Sequence, residues 1–195
     1  MNITTEQIKT LRDASGISVM QCRKALEEAD GDMEKAKVIL QKNSKAAAEK
    51  KSDRKLGAGV IQAYVHSNGT VATMVELSCE TDFVSGNAEF KALAYDIAMH
   101  ITALNPEFLK IEDVSEEAKK VATEVFMKEV LGKPEAMKAK ILEGKLNSYF
   151  GERALLEQPF VKNPDLKIKN LLENAVQKFG EKTEITRFVR FAVGK

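Results

Sequence analysis

The sequence predicts an α+β fold, and three observations carry that prediction. Apolar residues recur at helical spacing through residues 1–42. The apolar period then changes to two on either side of the dipeptide Asn68-Gly69, which is a strong hairpin signal. A last alternating segment over residues 184–193 supplies a third strand. Helices packed against a small antiparallel three-stranded sheet give an α+β core.

Residues 1–42 are predicted to form a three-helix module. Thr4 and Ser18 each stand three residues before a glutamine, which is the pattern of a capping box at a helix start. Asp32 is placed to cap the third helix. Gly16 and Gly31 follow the first two helices and favour their termination. Helices this short must pack together to be stable.

The rest of the chain divides into a linker and a core domain. Residues 43–56 form a basic, alanine-rich linker that we expect to be solvated and partly helical. Residues 57–195 are expected to form the α+β core. Its hairpin strands cover residues 60–66 and 71–78, and a protruding helical hairpin is expected at about residues 115–150.

Two long helices and the last strand complete this predicted core. Apolar stripes with helical spacing over residues 90–101 and 168–179 predict buried helices. Residues 155–160 are interpreted as an extended connection, and residues 79–86 as an irregular loop. In the last strand, strict alternation places five residues on one face: Ile185, Arg187, Val189, Phe191 and Val193.

Composition excludes several classes of protein. The 195 residues carry 30 Lys+Arg against 29 Asp+Glu, which argues against a general nucleic-acid coat. No apolar run approaches the roughly 18 residues of a membrane span, and the N-terminus has no signal-peptide layout. We therefore expect a cytoplasmic protein with no membrane association. Two cysteines are too few for a disulfide framework.

Catalytic motifs are missing from the sequence. It has no glycine-rich phosphate loop, no nucleophile elbow and no Cys/His cluster with the spacing of metal ligands. Cys79 could act as a nucleophile only if a histidine came near it, and a half-buried cysteine at a strand end is the better interpretation. We therefore expect that the protein is not an enzyme and that it has no catalytic residue, no bound metal and no cofactor.

The segment from Cys79 to Gly86 is the first candidate site, because it places the apolar Phe83 and Val84 among polar residues. In one interpretation Phe83 folds back under the sheet, and Asp82 or Ser85 caps the next helix. In the other, Phe83 projects beside the Asp82 carboxylate as an aromatic anchor for a protein partner.

The corner between the first two helices is the second candidate. It is expected to expose Ile17, Val19 and Met20 beside Arg12 and to form a docking surface. The alternative is an ordinary helix–helix corner with Met20 in the core.

A third hypothesis concerns the basic segment at residues 42–55, where six basic and two acidic residues leave a net charge of +4. A nucleic-acid-binding adaptor could use this segment, although no aromatic residue is present there to stack on a base. A charge run of this kind is more often a solvated face.

A set of short motifs occurs in order along nearly the whole chain: Leu11-Arg12, Gly16, Met20, Cys22, Ala25-Leu26, Gly31-Asp32, Glu76-Leu77, Cys79–Val84, Met99–Ile101, Asn105-Pro106, Leu155–Lys162, Arg187-Phe188 and Arg190-Phe191. With these motifs the chain resembles the elongation factor Ts family, in its short form with one core subdomain.

This resemblance implies a guanine-nucleotide exchange factor for the GTPase elongation factor Tu. It implies an N-terminal module like a ubiquitin-associated domain, which docks on the GTPase domain through Arg12, Ile17, Val19 and Met20. It also implies a motif that dislodges the partner's Mg²⁺: Thr81, Asp82, Phe83 and Val84. Direct nucleic-acid binding is not expected. Some short members of the family form homodimers, so a homodimer stays open.

Overall fold

The computed structural model describes residues 3–132 and 134–194, so residues 1, 2, 133 and 195 of the predicted ranges lie outside it. Within the described part of the chain, residues up to 99 and from 169 onward form one compact unit, and those between 100 and 168 form another. The predicted α+β class, with its small antiparallel three-stranded sheet, is confirmed. The division into a module, a linker and a core remains a prediction.

The first three helices are α1 (Thr5–Ser15), α2 (Val19–Glu28) and α3 (Met33–Glu49). Thr4 forms a complete capping box with Gln7, and the side chains of Ser18 and Asp32 accept hydrogen bonds from the first turns of α2 and α3. Helix α3 continues through the first part of the predicted linker, because the alanines at 46–48 have high helix propensity. Eight buried side chains form the core of this module: Leu11, Ile17, Cys22, Ala25, Leu26, Ala29, Ala36 and Leu40.

The hairpin consists of β1 (Ala58–Val65) and β2 (Val71–Cys79), which pair antiparallel as predicted. Gly69 has φ 68°, the left-handed conformation that the turn requires. The last strand, β5 (Glu184–Ala192), pairs antiparallel with β2, so that β2 is the central strand.

The predicted alternation of β5 is wrong at its start. The pairing register of β2 with β5 shifts between Glu76 and Leu77, so Ile185 pairs with Leu77 whereas Arg187 pairs with Glu76. One residue of β5, Thr186, is left over as a bulge. The bulge turns Ile185 into the core while Arg187 lies exposed on the opposite face.

Three further helices belong to this sheet's unit: α4 (Asp82–Ser85), α5 (Ala88–Leu104) for most of its length, and α8 (Ile168–Phe179) from residue 169 onward. The segment predicted to be an irregular loop therefore contains one helical turn, α4. The buried side chains of the sheet and these helices include Val75, Leu77, Val84, Phe90, Ala94, Ile97, Val176 and Ile185.

The unit of residues 100–168 contains the predicted helical hairpin, formed by α6 (Glu116–Glu129) and α7 (Glu135–Gly151). Sequence analysis did not predict the two-stranded sheet of β3 (Pro159–Phe160) and β4 (Asn163–Lys167), which starts within the expected extended connection. Prolines in both segments conceal the strand pattern. None of the described helices is both long and apolar enough to cross a bilayer.

A buried histidine stabilises this second unit. The Nε2 atom of His100 lies 3.0 Å from Oε1 of Gln158, and its Nδ1 atom accepts a hydrogen bond of 3.2 Å from the N–H of Val161. Burial lowers the pKa of His100, and the bond to Gln158 opposes this in part. The ring is therefore held neutral, with Nδ1 as the acceptor.

Candidate partner-binding surfaces

The first surface is a projecting tip formed by Asp82 and Phe83. Phe83 is 85% exposed, whereas its neighbour Val84 is 4% exposed. Successive residues of a helix point about 100° apart, so the α4 turn can bury one side chain while it presents the other. The structure thus fits the projecting alternative, and Phe83 does not fold back under the sheet.

The tip also leaves the Asp82 carboxylate in solvent. Asn87, and not Asp82 or Ser85, caps α5, because the Asn87 Oδ1 atom accepts a hydrogen bond of 2.8 Å from the N–H of Glu89. Within the described residues, the Asp82 carboxylate has no hydrogen-bond or ion-pair partner. An exposed aromatic ring beside a carboxylate without a partner is suited to binding another protein.

The backbone of the tip is held by a carboxylate that sequence analysis missed. Glu181 accepts hydrogen bonds from the N–H groups of Glu80 and Thr81, at 3.1 and 3.0 Å, and from the Thr81 hydroxyl at 2.6 Å. Glu181 belongs to no recognisable motif, and only its place after the Gly180 helix stop could have drawn attention to it.

The side chain of Glu80 forms the reciprocal set of bonds. It accepts a hydrogen bond of 2.6 Å from the N–H of Lys182 and lies 3.2 Å from the Arg54 guanidinium. The Lys182 hydrogen bond is the main reason that the pKa of Glu80 is lowered, and Arg54 adds to the effect. The carboxylate therefore stays ionised and bound at neutral pH.

The second surface lies at the α1–α2 corner, where Gly16 adopts φ 69°. Val19 is 55% exposed, Met20 is 67% exposed and Arg12 is also exposed. The alternative with Met20 in the core is therefore wrong. The expectation that Ile17 is exposed is also wrong, because its side chain is 1% exposed and belongs to the three-helix core.

A third exposed surface is the outward face of the sheet. Side chains from all three strands contribute apolar area to it: Ile61, Val65, Met74, Val189 and Phe191. An ion pair of 2.7 Å between Arg187 and Glu76 lies on the same face. Exposed apolar area of this kind commonly marks an interface.

The remaining candidates have weaker support. Burial, followed by the nearby charge of Glu181, raises the pKa of the Cys79 thiol, which is the opposite of what an activated nucleophile needs. No cluster of potential metal ligands occurs among the residues that the structure describes. In the basic segment, Lys45 lies 3.9 Å from Glu49 and Arg54 pairs with Glu80. The nucleic-acid hypothesis stays an untested prediction.

Comparison with known proteins decides the family. The family model described as Elongation factor TS matches residues 17–195. Elongation factor Ts from Carboxydothermus hydrogenoformans is 47% identical over 195 residues, covering 99% of this chain and 90% of the relative. The chain belongs to the elongation factor Ts family. It is therefore a translation elongation factor, which takes part in protein biosynthesis.

Two further members of the elongation factor Ts family are similar over nearly their full length. The protein from Thermodesulfovibrio yellowstonii is 45% identical over 196 residues, covering 100% of this chain and 98% of the relative. The protein from Thermotoga maritima is 42% identical over 195 residues, with coverage of 100% and 98%. Both carry the name elongation factor Ts, so the family assignment applies to the whole chain.

Proposed function

We propose that this chain is a guanine-nucleotide exchange factor for elongation factor Tu and that it acts in the cytoplasm. Its family membership supports the proposal. The observation that carries it furthest is the exposed Phe83 ring, which stands beside the free Asp82 carboxylate on a helical turn anchored by Val84.

The proposed mechanism needs no covalent step. A GTPase holds GDP through phosphate-loop amides, a lysine and Mg²⁺, which is the largest local charge in the site. Phe83 acts as a wedge against the partner, and burial of its ring stabilises the opened phosphate site, from which GDP leaves, by about 1.5–3 kcal/mol. Asp82 accepts hydrogen bonds from the partner or disturbs its Mg²⁺ shell. A small shift of the phosphate site weakens the binding free energy of GDP. Each ~1.4 kcal/mol lost lowers the affinity for GDP tenfold, so GDP is released.

Docking is assigned to the α1–α2 corner. Val19 and Met20 provide exposed apolar area, and Arg12 on α1 is an exposed cation. Ile17 supports this surface from within the core of the module. Since docking holds the chain on the partner while the tip acts, the two surfaces make separate contributions to affinity and to rate.

Dissociation of a fluorescent GDP from purified elongation factor Tu tests the function. Substoichiometric amounts of the chain should accelerate release. The Met20→Glu variant should raise the concentration needed for half-maximal acceleration while it leaves the maximal rate nearly unchanged, because Met20 is exposed and contributes to docking alone. Unaccelerated release at saturating concentrations of the wild-type chain would refute the proposal.

We also propose that the chain forms a homodimer through the outward face of its sheet, because apolar side chains from all three strands are exposed there. Sedimentation equilibrium should give a dimer for the wild-type chain and a monomer for Val189→Lys. The matched control is Val121→Lys, which changes an exposed valine of α6 and should remain dimeric. A monomeric wild-type chain would contradict this part of the proposal.

A further inference from the structure

Two segments of the chain, residues 80–81 and 181–182, are joined by hydrogen bonds in which a carboxylate of each accepts from N–H groups of the other. The Glu181 side chain accepts three hydrogen bonds, two from Thr81 and one from the N–H of Glu80. The Glu80 side chain in turn accepts a bond from the N–H of Lys182. Each segment thus satisfies backbone donors of the other, and the charged acceptors strengthen these bonds. We call this arrangement of Glu80, Thr81, Glu181 and Lys182 the carboxylate brace.

The brace also reaches the segment that leaves the N-terminal module. The Arg54 guanidinium pairs with Glu80, and the Lys182 ammonium donates a hydrogen bond of 2.6 Å to the carbonyl oxygen of Ser52. The chain passes closely at this point, because a Cβ atom on Gly57 would lie 3.0 Å from the carbonyl oxygen of Glu80. Three segments of the chain therefore meet at the brace.

Helix α8 leads directly into the brace and also contacts the docking module. The Asn174 side chain donates a hydrogen bond of 3.1 Å to the carbonyl oxygen of Ser15, next to the α1–α2 corner. The hydroxyl of Ser44 on α3, which is completely buried, donates to the side chain of Gln177. The last turn of α8 is thus fixed to the module only a few residues before Glu181.

The same turn is fixed to the helix that follows the tip. The rings of Phe179 and Phe90 pack edge to face with centroids 5.6 Å apart. Lys178 pairs with Glu89 at 2.8 Å, and this pairing is the main reason that the pKa of Glu89 is lowered. The end of α8 is therefore a common support for the docking corner and for both sides of the tip.

We propose that Glu181 is a positioning residue for nucleotide exchange, which holds Thr81 so that Phe83 projects at a fixed place relative to the docking corner. This inference rests on the proposed function. A single helical turn has little stability of its own, so its orientation depends on the bonds to Thr81 and on the burial of Val84. Without Glu181, the tip occupies its productive orientation for only a fraction of the time, and the maximal exchange rate falls to that fraction of the wild-type value.

The test measures the maximal rate of stimulated GDP release and the affinity for GDP-bound elongation factor Tu, which the chain binds before the phosphate site opens. Glu181→Ala should lower the maximal rate by roughly tenfold, which corresponds to productive occupancy of about one tenth. Affinity should change much less, since docking uses another surface. Glu181→Gln should retain most of the rate, because the amide can still accept from both N–H groups and can donate to the Thr81 hydroxyl.

Two comparisons separate positioning from general destabilisation. In a Phe83→Ala background, Glu181→Ala should cause no further loss of rate, because it acts through Phe83. Glu184→Ala is the matched control, since that carboxylate pairs with the Lys182 ammonium at 3.2 Å rather than with the tip, and its rate should stay near that of the wild-type chain.

Hydrogen–deuterium exchange provides a readout independent of activity. Glu181→Ala should increase deuterium uptake in the peptide around Glu80 and Thr81 while uptake in α2 is unchanged. If Glu181→Ala unfolds the chain, the same measurements are made on Thr81→Val, which removes only the hydroxyl's bond to Glu181. The loss of rate and the rise in deuterium uptake should then be smaller. A wild-type rate for Glu181→Ala, a loss additive with Phe83→Ala, or unchanged uptake at the tip would overturn the inference.

Failure of the proposed function is a different result. In that case the wild-type chain does not accelerate GDP release, and the deuterium uptake of the tip alone decides whether Glu181 positions it.

Discussion

Truncation of Phe83 should separate function from folding more cleanly than any other single change. The ring is 85% exposed, so Phe83→Ala removes almost no packing and should change the free energy of unfolding by less than about 0.5 kcal/mol. In the opened complex from which GDP leaves, the same truncation forfeits the burial of an aromatic side chain, about 1.5–3 kcal/mol. At ~1.4 kcal/mol per factor of ten, the expected loss in stimulated GDP release is roughly ten- to hundredfold.

The assay follows dissociation of a fluorescent GDP from elongation factor Tu, and urea unfolding of the free variant serves as the stability measurement. Val84→Ala is a useful contrast, because Val84 is buried and its truncation should lower the free energy of unfolding. If Phe83→Ala released GDP at the wild-type rate, the wedge mechanism would be refuted. If it unfolded like a core variant, the structural assignment of Phe83 as exposed would be wrong.

Three further changes have defined expectations. Ile17→Ala should lower the free energy of unfolding, measured by urea titration, by about 2–5 kcal/mol, because Ile17 is buried. Met20→Ser should lower it by about 0.5 kcal/mol or less, because Met20 is exposed. Equal losses for the two variants would contradict the described α1–α2 corner. The pKa of His100 is lowered in the folded chain, so the folded state favours the neutral imidazole. The neutral ring therefore makes its full contribution to the free energy of unfolding above pH 6.5, the ordinary pKa of histidine. This contribution is lost as the pH falls toward the folded pKa, by up to ~1.4 kcal/mol per pH unit, and a His100→Gln variant should show a flatter pH dependence between pH 6.5 and 5.

The fold was predictable where local signals agree with one another. The capping residues, the Asn-Gly turn and the helical apolar stripes each depend on neighbours within a few positions, so the sequence alone predicts them. The error in β5 has a different cause. A bulge at Thr186 arises from the pairing with β2, which lies more than a hundred residues earlier, and the pattern of one strand contains no sign of it.

The candidate sites show the same limit. The sequence identifies Phe83 as unusual but leaves open whether it is buried, because an apolar residue in a loop is compatible with both outcomes. The position of Ile17 in a corner between helices predicts an exposed side chain, yet the left-handed Gly16 directs the chain so that Ile17 enters the core. The role of Glu181 could not be predicted, because its hydrogen-bond partners, Glu80 and Thr81, lie about a hundred residues earlier in the sequence.

The proposed exchange function requires that this chain and GDP bind to elongation factor Tu antagonistically. Isothermal titration of the chain into nucleotide-free and into GDP-saturated elongation factor Tu measures this directly. Reciprocity requires that the chain bind the nucleotide-free form more tightly, by the same factor by which it weakens the affinity for GDP. Equal affinity for the two forms would contradict the account, because a ligand that does not discriminate between two states cannot shift the balance between them.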